Sequence, residues 1–218
     1  MTNATRAETV AAALREAILK GDYLSGERLV ELSLAKSFEV SQNTIRDALR
    51  LLEQDGWVVK YARRGVYVRA FTLDQAAEVF ALIGVVEGLL LAWALESMTK
   101  SALQELSALV ATAHKHSYMG DWQAAMEAVF QFHELLVRIT GKPITMQVMG
   151  QLFNQARLLE ALRQARVPRN PHELDAHIRR HESLYLCIEA GDLSGAQRLM
   201  GEQIQMYRDA VLGALRLA

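Results

Sequence analysis

Residues 41–55, SQNTIRDALRLLEQD, hold the densest set of groups able to read another molecule. Wound as a helix, Ile45, Ala48, Leu49 and Leu52 fall at i, i+3, i+4 and i+7 and form one apolar stripe. Gln42, Asn43, Arg46 and Arg50 then lie on the opposite side, with Ser41 and Thr44 at the start. Carboxamides pair bidentately with adenine edges and guanidinium groups with guanine edges in a DNA major groove. Farther along, Arg63-Arg64-Gly65 interrupts a Val- and Tyr-rich segment. Such a basic turn can lie along phosphates or dip into a minor groove. A solvated helix face followed by a basic turn has the same composition, so the neighbouring elements must decide.

Those elements are legible. Glu8 to Lys20 reads as a first helix, with Val10, Leu14, Ala17 and Ile18 on one face and Gly21 as its stop. Leu29 to Phe38 reads as a short second helix, followed by a tight turn at Glu39-Val40. Ser41 caps the third, because its hydroxyl accepts from an otherwise unpaired backbone N–H, and Asp55-Gly56 ends it. Residues 57–69, WVVKYARRGVYVR, read as a β-hairpin. The order helix, helix, capped helix, basic hairpin favours a winged helix-turn-helix, whose recognition helix enters the groove N-terminus first.

From Asp74 the apolar period is helical throughout, and six helices are expected over 74–99, 101–118, 121–140, 144–165, 172–190 and 192–216. Short Gly- and Pro-marked breaks imply an antiparallel bundle. The expected class is mostly α. Residues 1–70 form a DNA-binding winged helix-turn-helix, and residues 71–218 a six-helix unit for effector binding and dimerisation. The first bundle helix carries Val79, Leu82, Val86, Leu89, Leu90 and Trp93, more apolar faces than one bundle needs, which predicts a homodimer on a palindromic double-stranded operator.

Composition is that of a folded globular chain: 218 residues, 51% hydrophobic, 22% charged, net charge −1. Residues 1–70 hold 11 Lys and Arg against 9 Asp and Glu, and the rest 13 against 16, so the positive excess falls on the DNA-binding side. The single cysteine, Cys187, allows no intrachain disulfide and reads as a buried structural thiol, suited to a reducing cytoplasm. The N-terminus lacks a signal pattern. The apolar run Ala81–Leu95, broken by Glu87, falls short of the ~20 residues a bilayer requires. A cytoplasmic protein without a membrane partner is expected.

The N-terminal stretch resembles the GntR family of bacterial regulators. The resemblance rests on Gly21-Asp22-Tyr23-Leu24-Ser25-Gly26-Glu27-Arg28-Leu29, Leu34-Ala35, Val40-Ser41, Ile45-Arg46-Asp47-Ala48-Leu49, Leu52-Glu53, Asp55-Gly56-Trp57 and Arg64-Gly65-Val66. Ser25-Gly26 stands where the family has Pro-Gly, and Ser41-Gln42-Asn43-Thr44 where it has Ser-Arg-Thr-Pro. The resemblance therefore implies an altered operator preference at Gln42, with Arg46 as the chief DNA contact.

The C-terminal half resembles the FCD-type sensor of the FadR subfamily, six helices placing it in the VanR-like branch. His181-Glu182-Ser183-Leu184 to Ala190-Gly191-Asp192, and Phe132-His133, carry the likeness. The resemblance implies a repressor released by a small-molecule effector, and in many members a divalent metal held by one Asp and three His. Here His133 and His181 match that set, but Val129 stands at the Asp position, Gln203 at the third His position, and Ile83 where a basic residue is common. Two imidazoles and a carboxamide make a poor divalent site. Any metal should be weak and removable by a chelator, with His133 and His181 donating hydrogen bonds to a neutral or weakly polar effector instead. His177, four before His181, reads as a surface histidine or as a further imidazole on the same face. Met126, Met146, Met149, Met200 and Met206 read as pocket lining or as plain core. A metal-dependent helical enzyme using His133, His177 and His181 is the alternative. Against it stand the lack of a carboxylate expected beside His133 and of any nucleophile or phosphate-loop motif.

Overall fold

The computed structural model describes residues 4–168 and 170–217. The first helix, α1 (Arg6–Lys20), starts earlier than its apolar pattern suggests. Thr5 and Glu8 form a capping box in which each side chain accepts from the other's backbone N–H. That motif, Thr-x-x-Glu, satisfies two orphan donors and moves the start two residues upstream. Gly21, at φ 87°, ends the helix in the left-handed conformation glycine tolerates.

Leu29 is not helical. It belongs to β1 (Arg28–Leu29), which pairs antiparallel with β3 (Gly65–Val68), itself paired with β2 (Val58–Tyr61), so the sheet runs β1-β3-β2. The expected hairpin is therefore two strands of a three-stranded sheet, and the second helix, α2, is confined to Glu31–Ser37. A two-residue strand carries no period of its own, and its extended state is set by partners about 37 residues away. The recognition helix α3 (Gln42–Gln54) follows a turn in which Glu39 adopts φ 52°, and Ser41 accepts from the Thr44 N–H.

The remaining helices are α4 (Leu73–Glu96), α5 (Lys100–Tyr118), α6 (Trp122–Ile139), α7 (Pro143–Arg166), α8 (Pro171–Glu189) and α9 (Leu193–Leu215). Their limits fall within three residues of those expected, because Gly120, Gly141 and Gly191 supply positive-φ turns and Pro143 and Pro171 occupy first helical positions. α4 packs against α9, α7 and α6, while α5 packs against α6 and α8. At 24 residues α4 is long and apolar enough to cross a membrane by length and composition, contrary to the expectation from the shorter run. Its middle, however, holds Glu87, buried at 1% exposure and engaged within the bundle.

Two apolar clusters organise the chain. One fills the bundle. The other joins α1, α3 and the sheet through Leu14, Ile45, Leu52 and Trp57, and is closed by Leu158 from α7. α7 also holds the end of α3: Gln151 Nε2 donates to the Gln54 carbonyl at 2.9 Å and Asn154 Nδ2 to that of Asp55 at 3.1 Å. These are carbonyls that a helix terminus cannot satisfy itself. Cys187 is half-buried rather than fully enclosed.

Candidate functional sites: a recognition helix and a buried polar cavity

In α3 the apolar stripe Ile45, Ala48, Leu49 and Leu52 is buried, so Gln42, Asn43, Arg46 and Arg50 face solvent beside Ser41. Thr44 is half-buried, its hydroxyl 2.8 Å from that of Ser41. Arg46 is not free in this state. Its Nε donates to Glu31 of α2 at 2.7 Å and its guanidinium reaches Asn43 Oδ1 at 3.3 Å. Arg50 pairs with Asp47 at 3.3 Å. Asn43 and Asp47 are solvent-exposed and Glu31 half-exposed, so each pair is worth at most about 1 kcal/mol and is readily exchanged for a nucleic-acid contact. At the wing tip Arg63 and Arg64 are exposed, and Arg63 takes φ 62° while Gly65 takes φ 105°. Arg28 lies against Gly65 so closely that a Cβ there would sit 3.1 Å from its Nε. The strand β1 thus adds a third arginine beneath the wing, one that a helical reading of Leu29 had hidden.

Ile83, Val129, His133, His181 and Gln203 come from four different helices and line one cavity of about 50 Å³. Glu87 and His177 line it too. His177 is thus half-buried between this cavity and an outer one rather than a fully exposed surface histidine, and its ring leans on Tyr207 with centroids 5.6 Å apart. Of the five methionines singled out in the sequence, Met126 reaches this cavity. Met149 and Met200 are core, Met146 is exposed, and Met206 borders an adjoining outer cavity.

The imidazoles form a directed chain. His181 Nδ1 lies 2.9 Å from the His177 carbonyl oxygen, which can only accept, so Nδ1 carries the proton. Burial holds His181 well below the usual histidine range, so its ring is neutral and Nε2 offers a lone pair. His133 Nε2, 3.0 Å away, must then donate to it. The remaining His133 nitrogen, Nδ1, lies 2.7 Å from Glu87 Oε1, close but off the aligned hydrogen-bond direction. Two lone pairs would repel at that distance, so one proton is shared by the Glu87–His133 pair, which is net neutral wherever the proton sits. The carboxylate expected to be missing beside His133 is therefore present, supplied by α4. No spacing rule links residues 87 and 133, and only helix packing joins them. Both nitrogens of His181 are engaged, so it is not the free donor to an effector that the sequence suggested, whereas His133 gives Nε2 to His181 and sets Nδ1 against Glu87 without an aligned hydrogen bond.

The same geometry bears on a metal. Val129 offers no donor atom, Glu87 stands behind His133 on the Nδ1 side, and Gln203 contributes only a carboxamide. Among the described residues no three His, Cys, Asp or Glu side chains are grouped to hold an ion. The donor set does not fit a resident divalent metal, which requires three or more N, S or carboxylate ligands.

Residues 6–68 match the family model of the bacterial regulatory proteins of the gntR family, and residues 78–206 match the FCD domain. The chain belongs to the GntR family, with an FCD sensor. The uncharacterized HTH-type transcriptional regulator YdhC of Bacillus subtilis is 32% identical over 125 residues, 57% of this chain. The chain spans only 56% of that relative's length. HTH-type transcriptional regulator LutR, also of B. subtilis, is 24% identical over 90% of this chain and 96% of its own. Among solved structures, a GntR protein of Rhodococcus sp. RHA1 superposes with TM-score 0.80 at 25% identity, covering 96% of this chain and 99% of the other. Escherichia coli McbR/YncC superposes with TM-score 0.85 at 21% identity, over 98% and 100%, and so shares the fold. YdhC, LutR and the Rhodococcus protein are named as transcriptional regulators, and nothing among them favours the enzyme reading.

Proposed function

We propose that the protein is a ligand-responsive transcription regulator that acts in the cytoplasm as a homodimer on a palindromic operator. In this reading residues 1–70 form the DNA-binding domain, with Ser41, Gln42, Asn43, Thr44, Arg46 and Arg50 facing the major groove. Arg63, Arg64 and Gly65 form the wing on the backbone or minor groove. Residues 71–218 bind the effector and dimerise, and effector binding releases the repressor from DNA.

The observation that carries the reading is α3. It buries every apolar residue of its stripe and leaves amide and guanidinium groups exposed, on a helix whose capped N-terminus is free. Such a face is suited to base edges, and the basic turn beside it to phosphates. α7 supports the second half of the reading. It lines the cavity with Phe153 and Ala156 and seats the end of α3 with Gln151 and Asn154, so one rigid helix touches both sites. A gel shift with the duplex upstream of the protein's own gene tests the proposal. Retention by that duplex and not by a random duplex of equal length is expected, and equal retention by both defeats it.

A further inference from the structure

We propose that the cavity is read out through Gln203, and that its effector is a neutral molecule presenting an amide edge: a carboxamide, lactam or imide. This rests on the reading of the bundle as the effector-sensing unit and adds the chemistry of the ligand. Gln203 is 4% exposed on α9, and neither its Nε2 nor its Oε1 has a hydrogen-bond partner among the described residues. A buried carboxamide left unmatched at both ends is less favourable than an apolar side chain of the same size. Of its polar neighbours, His133 and His181 are bonded to each other and His181 also to the His177 carbonyl, while Glu87 turns one oxygen toward His133 Nδ1 and its Oε2 has no partner among the described residues.

Charge narrows the ligand further. Among the described residues no lysine or arginine lines the cavity. The Glu87–His133 pair is net neutral, and burial holds His177 at about 4 and His181 well below the usual histidine range, so both rings are uncharged near pH 7. A carboxylate would enter beside Glu87 with no counter-charge, and burying an unpaired charge is strongly unfavourable. The other walls, Phe80, Phe130, Phe153 and Ile204, are apolar. A group with donor and acceptor side by side on one edge forms two antiparallel hydrogen bonds with a carboxamide, whereas a hydroxyl aligns well with only one of its atoms. The volume, about 50 Å³, admits roughly three or four water-sized groups, enough for the amide head. A larger body extends past His177 and Tyr207, which this cavity shares with an outer one of about 340 Å³.

Propionamide and propionate are near-isosteres that differ in charge and in the N–H edge, and they serve as probes. Both are titrated into the full-length ¹⁵N-labelled protein without DNA, following the Gln203 side-chain NH₂ resonance, identified by its loss in Gln203→Leu. Propionamide should shift that resonance and bind at least about tenfold more tightly than propionate, the separation one hydrogen bond to a buried group provides. Gln203→Leu fills the same space without polar atoms, so its melting temperature should not fall below the parent's, while propionamide binding weakens at least about tenfold and propionate stays weak for want of a counter-charge. Propionate binding as tightly, an unmoved Gln203 resonance, or a propionamide affinity unchanged by Gln203→Leu would each overturn the proposal. The gel shift on the same ligand-free protein separates the two readings. Operator binding without an amide preference removes this inference alone, and an amide preference without operator binding removes the regulator reading.

Discussion

At the scale of single residues Arg46 is held by Glu31, and under the proposed function it exchanges that partner for a base edge. Because the pair it leaves is exposed, the net gain stays near that of a good bidentate base contact, and Arg46→Ala should weaken specific binding by about 1–3 kcal/mol. Competition between operator and random duplex measures this, and unchanged operator affinity would take Arg46 out of the readout. His177 makes a statement about pH. Burial lowers its pKa from the ordinary 6.5 to about 4, so between those values the unfolded chain binds a proton that the folded chain does not. Stability should therefore be flat above pH 6.5 and fall as the pH drops toward 4, by about 1.4 kcal/mol per pH unit for each such group. His181 shifts in the same direction for the same reason. Urea unfolding at pH 7 and pH 5 should show the loss, and His177→Phe should make it shallower by one proton; an equal slope in parent and variant would place the ring in water. The cavity also fixes a metal test. Val129, His133, His181 and Gln203 line one space, so Val129→Asp with Gln203→His together should create tight binding of a divalent ion, measured by metal analysis after dialysis. The parent should retain none.

At the scale of elements α7 does the most joining. Its Gln151 and Asn154 satisfy carbonyls at the end of α3, Leu158 completes the N-terminal core, and Glu160 accepts the Tyr207 hydroxyl at 2.8 Å on the cavity side. Removing both amides through Gln151→Ala and Asn154→Ala deletes two hydrogen bonds, each worth about 1 kcal/mol. It should loosen residues 1–70 from the bundle while leaving each apolar core intact. Calorimetry should then show the unfolding endotherm broaden or split toward two transitions, and a single endotherm unchanged in midpoint and width would deny α7 this role. The recognition helix and the wing are joined from the other side. Arg28 of β1 lies against Gly65, and Tyr67 donates to the Arg64 carbonyl at 3.2 Å, so the basic turn is braced by the sheet.

At the scale of the whole molecule α4 presents one face more than the bundle uses. Val79 and Leu90, read as surplus apolar surface, are buried inside, but Leu82, Val85 and Leu89 stand 48%, 76% and 52% exposed at i, i+3 and i+7. A contiguous apolar stripe of this kind is disfavoured in water and marks a surface that another copy can cover. We expect a two-fold dimer through α4, with a mass near 49 kDa — about twice the 24.4 kDa chain — by light scattering at micromolar concentration. Leu82→Glu with Leu89→Glu should yield monomers. A parent that is already monomeric would refute the arrangement.

Much of this was written in the order of the residues. The period of 3.6 in Ile45, Ala48, Leu49 and Leu52 determined which face of α3 is buried and so which side chains remain for DNA. Glycines and prolines at the breaks determined six bundle helices to within three residues, because local conformational preference acts over the few residues that carry it. The resemblance at residues 129, 133, 181 and 203 placed four side chains around one space before any packing was known. What lay outside local reach was decided by tertiary structure. Leu29 is a strand because β3 pairs with it, and no two-residue period could announce that. Glu87 read as a flaw in an apolar run until the packing of α4 on α6 set it against His133. His177 read as exposed until α9 brought Tyr207 over it. The protonation of the histidine chain follows from distances between helices, since a proton's place depends on which acceptor lies within about 3 Å, and that is a property of the packed bundle alone.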